Sequence, residues 1–193
     1  MSHPQIDRLM DNVRVHLPGA VDSLIQREIF NTLDEFLKTS LLWTEEIPVD
    51  LSAGETIYDV IPAAGQPTQL ITVVNPDGIT VGASMAEPYV LVLQNTPTTE
   101  EELTATVALT VVDPVKTDGN PEVPEWIVTK YYLGILDGVL GRMMSQPAKP
   151  YSNERLAIYH LRRFRDATAG ARVDARRKNV YGAQRWRYPQ NFA

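Results

Sequence analysis

The chain is 193 residues long and 44% apolar, enough for one or two small domains with a real core. It has no cysteine, which excludes disulfides, thiolate zinc sites and cysteine nucleophiles. The net charge of -6 hides a division: residues 147–193 carry eleven Lys/Arg against three Asp/Glu, and residues 1–146 carry seven against twenty-one. An acidic body with a basic extension points to an anionic partner, either DNA or the acidic body of a neighbouring copy.

Taken in order, the chain opens with a short helical segment over 5–16, with Ile6, Met10 and Val13 on one face, ended by Leu17-Pro18-Gly19. Arg8, Asp11, Arg14 and Asp22 interrupt any early apolar run, so no signal peptide is expected. Ser23 and Gln26 have capping-box spacing. Leu24, Ile25, Ile29, Leu33, Phe36, Leu37 and Leu41 carry a helix from there to about 42.

From Thr44 the period changes to that of strands. Ile47, Val49 and Leu51 alternate, as do Ile57 and Val60, and Leu70–Val74 and Tyr89–Leu93 are β-rich runs. Asn75-Pro-Asp-Gly78 predicts a turn before a strand at Ile79–Val81, and a last strand runs from Leu103 to Val112. Five or six strands with short turns predict a small antiparallel sheet or barrel-like domain over 44–115.

Beyond a linker at 115–122, Trp126, Ile127, Leu133, Leu136, Val139, Leu140, Met143 and Met144 predict a helix from about 124 to 145, stopped by Pro147 and Pro150. Lys130, Asp137 and Arg142 rule it out as a membrane span. Ser152 or Asn153 then caps a helix to about Lys178, with exit signals at Asn179 and Gly182. On a helical wheel, Leu156, His160, Phe164, Ala167, Ala171 and Ala175 share one side, and Arg155, Arg162, Arg165, Arg172 and Arg176 share roughly 100° of the other. The expected class is α+β: a bundle of three to four helices, from 1–43 and 116–178, with an inserted antiparallel β domain at 44–115. An extended docking tail occupies 179–193. That tail holds Tyr181, Arg185, Trp186, Arg187, Tyr188 and Phe192, and its aromatic content predicts anchoring on its own domain or in a groove of another chain.

Catalytic constellations are thin. His3, His16 and His160 lack metal-ligand spacing. Gly82-Ala-Ser-Met-Ala86 approaches a nucleophile elbow, but Glu87-Pro88 stands where a helix must start, so it reads as a loop. Glu45 with Glu46, and Glu100 with Glu101 and Glu102, read as solvated edges rather than acid–base pairs or a hard metal site. No phosphate loop or dinucleotide fingerprint is present. The sequence implies no enzyme, no cofactor, no metal and no membrane partner.

Two features remain. Gly134, Gly138 and Gly141 cost a helix interior about 1 kcal/mol each relative to alanine, a cost offset by close approach of another helix from the same chain or the next subunit. A hinge is the alternative. The arginine side has three readings: a solvated face, a DNA-binding face without sequence readout, and an assembly face pairing with acid on another copy or protein.

Three stretches carry a resemblance to a known family. They are Val15-His-Leu-Pro-Gly-Ala20 with Asp34–Ser40, Trp43 and Ile47–Tyr58; then Val123-Pro-Glu-Trp-Ile-Val-Thr-Lys-Tyr131; then Met143–Pro150, the arginine helix and Asn179-Val-Tyr-Gly182 with the terminal tail. In this order of elements the chain resembles the head-to-tail adaptor, or connector, proteins of tailed bacteriophages, which dock under the portal. The resemblance implies a virion structural protein of the neck, made in the host cytoplasm and without enzymatic activity. It implies a homo-oligomeric ring of about twelve copies, bound to the portal and to a tail nozzle, stopper or other tail protein, with DNA in the central channel. It also implies that the segment from Tyr181 to Phe192 reaches the portal. From a different class, a DNA-binding accessory protein gripping phosphate with the arginine face is the alternative.

Overall fold

In the computed structural model, which describes residues 4–112 and 122–177, Ile6, Leu9 and Val13 form the buried stripe of α1 (Pro4–His16). The α2 helix (Asp22–Ser40) buries Ile25, Ile29, Leu33, Phe36 and Leu37 along one side, the spacing an amphipathic helix requires. The expected capping box does not form. Val21 is the N-cap and makes no side-chain cap bond, while Asp22 pairs with Arg14 at 2.9 Å and ties the start of α2 to the end of α1. Leu41, at φ 54°, ends the helix by donating its N–H to the Leu37 carbonyl.

Six strands follow among the described residues: β1 (Thr44–Leu51), β2 (Ile57–Asp59), β3 (Gln66–Val74), β4 (Ala83–Glu87), β5 (Val90–Leu93) and β6 (Glu101–Thr110). They form two antiparallel three-stranded sheets, ordered β1-β6-β3 and β2-β5-β4. Period-two alternation sends Ile47, Val49 and Leu51 inward with Leu103, Ala105 and Val107. Tyr58, Leu91 and Leu93 of the second sheet join the same apolar cluster. Two expectations change here. Gly82–Ala86 supplies most of β4 rather than a loop, held by pairing with β5, whereas Ile79–Val81 makes only one bridge, Val74 with Thr80. The turn between them is as expected: the Asn75 side chain accepts from the Ile79 N–H at 2.8 Å, and Gly78 takes φ +76°.

The helix expected over 124–145 is two, α3 (Glu125–Lys130) and α4 (Tyr132–Met144). The step is at Tyr131, where φ -108° and ψ 19° leave the helical range. There the Tyr131 ring lies 5.3 Å from that of Phe36 and its hydroxyl donates to Asp174 at 2.7 Å, so a tertiary anchor sets the bend. The last helix, α5 (Glu154–Arg176), is capped by Asn153, whose side chain accepts from the Leu156 N–H at 3.1 Å.

The helices and the sheets share one continuous apolar cluster. The α2 helix touches α4 and α5 on one side and β6 on the other, with the Thr110 hydroxyl donating to Asp34 at 2.9 Å. The fold is thus mixed α+β, with two described helices before the strands and three after them. Among the described residues no helix is long and apolar enough to cross a membrane.

Candidate functional site

Why α5 presents its arginines outward follows from what its other side meets. Three glycines of α4 set the distance between the two helices. A Cβ on Gly134 would lie 2.4 Å from that of Ala167, one on Gly138 2.7 Å from the Phe164 ring, and one on Gly141 2.7 Å from Leu161. These separations are below van der Waals contact, so only glycine permits this approach. The close approach is made within one chain.

The seam also rotates both helices relative to the sequence wheel. In α5 the buried positions are Ala157, Phe164, Thr168 and Ala171, and Leu156, expected inside, is 43% exposed. In α4 the expected apolar residue Leu133 is 64% exposed; Trp126 of α3, outside the seam, is 45% exposed. The missed signal was glycine itself: a face built on missing side chains ranks low on any scale of apolar bulk.

A buried polar cluster pins α5 in rotation. Asp137 of α4 is buried and accepts from His160 Nδ1 at 2.7 Å and from Arg163 Nε at 2.9 Å. Arg163 also donates to the Tyr159 hydroxyl at 3.0 Å. His160 is thus a structural donor with a carboxylate partner. Toward the end of α5, Asp174 accepts from Lys130 at 2.9 Å and from Tyr131. The hydrogen bond from Lys130, with that from Tyr131, holds the Asp174 carboxyl below its ordinary value, and burial with the bond to Asp174 pushes the Tyr131 phenol up.

Arg155, Arg162, Arg165, Arg172 and Arg176 remain on the opposite side, all exposed. None of the five has an ion-pair partner among the described residues. Two of them, Arg165 and Arg172, stand on the rim of a shallow groove of about 190 Å3 between α5 and α2, with Phe164, Thr168 and Ala169 on its floor. Glu35, the acid at this groove, is engaged by Arg142.

The strands carry the opposite charge without relief. No Lys, Arg or His occurs between Lys38 and Lys116, while residues 44–112 hold ten carboxylates. All ten except Glu45 are exposed, and the Glu45 side chain accepts from the Ala63 N–H at 2.9 Å. On the outer face of the first sheet, Asp50 stands directly opposite Glu102 across β1 and β6, and Glu46 lies on the same face of β1. Like charges so opposed destabilise a sheet.

The other sites read from sequence are not assembled into chemistry. Ser84 lies within β4, paired with Val92, not on a strand-to-helix turn. A groove of about 630 Å3 opens between β3 and β4, but Glu87 is the one titratable side chain in its lining. Among the described residues no three His, Cys, Asp or Glu side chains are placed to hold a metal. The tail residues Tyr181, Arg185, Trp186, Arg187, Tyr188 and Phe192 lie outside the described residues. Comparison with protein-family models and with curated proteins returns no match.

Proposed function

We propose that this chain is a head-to-tail adaptor of a tailed bacteriophage: a virion structural protein that forms a ring under the portal and joins the filled head to the tail. The finer architecture belongs to this reading. The five helices act as one bundle that forms the subunit body, the strands are a domain inserted into it, and residues 179–193 are an extended docking segment. The observation that carries it is the separation of charge on one chain. Five arginines on the outer side of α5 have no ion-pair partner among the described residues, and the strand region lacks a single cation. A chain so divided is suited to repeated association with copies of itself and with acidic neighbours. The three stretches of sequence resemblance supply the biological setting.

In a ring, each further contact is effectively intramolecular, so weak tail contacts with the portal add to firm attachment. The test is mass by light scattering of the full chain, alone and mixed with the portal protein encoded in the same genome. A monomer that joins the portal as roughly a dozen copies is the expected result. A chain that stays monomeric beside the portal sinks the proposal.

The same five arginines favour a second reading, a phosphate-gripping DNA-binding accessory protein. It requires DNA affinity that falls steeply with salt through counterion release, together with indifference to the portal.

A further inference from the structure

We infer that the arginine side of α5 is the docking face for the outer surface of the β1-β6-β3 sheet of a second copy of this chain. The inference rests on the assembly reading above and names the surfaces that meet in it. Arg165 and Arg172 stand on the rim of a groove floored by Phe164, Ala169 and Thr168, whose hydroxyl is spent on the Phe164 carbonyl. The groove's own acid, Glu35, is held by Arg142, a geometry that leaves two guanidinium groups to bind an incoming carboxylate. Neither arginine has an ion-pair partner among the described residues.

The occupant is fixed by charge. The outer sheet face carries Glu46, Asp50 and Glu102, with Asp50 and Glu102 directly opposed and no basic residue anywhere in the strand region. Dimensions agree. From Glu46 to Asp50 is about 13 Å along an extended strand, and between the two rim arginines, Arg165 and Arg172, is about 11 Å along a helix. Pro48 sits between the two acids on β1, opposite Thr104 of β6, so the centre of the face is uncharged and meets the groove floor at Ala169. The two surfaces are different patches of one chain. Their association is heterologous, and it propagates until rotation closes it into a ring.

The absence of native cysteine makes disulfide trapping clean. Full-length Ala169→Cys and full-length Pro48→Cys are mixed under mild oxidation, alone and with the portal protein. Thr104→Cys repeats the test on the neighbouring strand in case Pro48→Cys disturbs β1. The expected result is a cross-linked species formed in the mixture and not by either variant alone. Adding Asp50→Arg to the Pro48→Cys chain removes a like-charge pair within its own sheet, so it spares the fold while lowering cross-linking about tenfold or more. Adding Arg165→Glu to the Ala169→Cys chain restores it.

No mixed species under either condition overturns the inference. If copies gather on the portal without the mixed cross-link, this interface is wrong and the adaptor reading stands. If the cross-link forms but the portal is ignored, the interface stands and the adaptor reading falls. Salt-sensitive retention on DNA without the cross-link overturns the inference in favour of a phosphate-binding face.

Discussion

Gly138 of α4 lies directly beneath Phe164 of α5, so close that a Cβ on the glycine would come within 2.7 Å of the ring and 2.5 Å of the Thr32 methyl. Phe164 in turn lies 6.4 Å from Phe36, centre to centre. The glycine therefore brings α2, α4 and α5 into contact at one point. Gly138→Ala should gain helix propensity worth about 1 kcal/mol and lose more to overpacking, which costs about 1–3 kcal/mol. Gly170 of α5 is the contrasting case, because a Cβ added there would meet nothing within 4 Å. Gly170→Ala should stabilise by about 0.5–1 kcal/mol. Urea midpoints of the two variants should move in opposite directions, and a shared direction would refute the packing argument.

Asp137 is a buried acid with two cationic or proton-donating partners from one turn of α5, His160 and Arg163. Asp137→Asn keeps the shape and removes the charge that both partners face, for a cost of about 1–3 kcal/mol. Arg163→Met should cost less, because its side chain is 48% exposed and water replaces its bond. Denaturant melts of the single and double variants check this, with non-additivity expected because the groups share one carboxylate. Equal costs that simply add would mean the cluster does not fix the rotation of α5.

Much of this fold is legible in the residues. The alternation of Ile47, Val49 and Leu51 announces β1, and the Asn153 cap and the Pro147–Pro150 break locate α5. What escapes is set by tertiary contact. The Tyr131 step depends on Phe36 and Asp174, far away in sequence. The β4 strand, Ala-Ser-Met-Ala-Glu, has little strand propensity of its own and exists because β5 pairs with it. The exposed Leu156 and Leu133 follow from a glycine seam whose partners no one-dimensional pattern identifies. The arginine side was legible because charge is counted directly. Its complement was not, since the opposition of Asp50 and Glu102 needs strand register.

The Asp174, Lys130 and Tyr131 cluster predicts a particular acid response. Asp174 titrates below its ordinary value of 3.8 because Lys130 and Tyr131 donate to the charged form. A depressed carboxyl contributes stability that is present above 3.8 and is lost as pH falls through the depressed value. Lys130 is raised above 10.5 by the same bond, so its contribution is full below that pH and is lost as pH rises through the raised value. Melting temperature measured from pH 7 down to roughly pH 2 should therefore fall less steeply in Asp174→Asn than in the parent chain. The difference should be confined to the acid end and should shrink with added salt. Parallel curves would show that the cluster does not contribute.

The proposed docking role of the terminal segment makes the last prediction, because it requires that role to be separable from the fold. Among the described residues, one apolar cluster joins α1, α2, the two sheets, α4 and α5. If residues 179–193 serve docking, as proposed, a chain ending after Lys178 should fold with an unchanged urea midpoint. It lacks Tyr181, Arg185, Trp186, Arg187, Tyr188 and Phe192, the residues proposed to dock on the portal, and should fail to bind it. Self-association through α5 should survive, since Arg155, Arg162, Arg165, Arg172 and Arg176 all remain. Co-sedimentation with the portal and disulfide trapping between copies, run on the same truncated chain, separate the two functions. Normal docking by the truncated chain would remove the tail from the docking role and move that role to the helices.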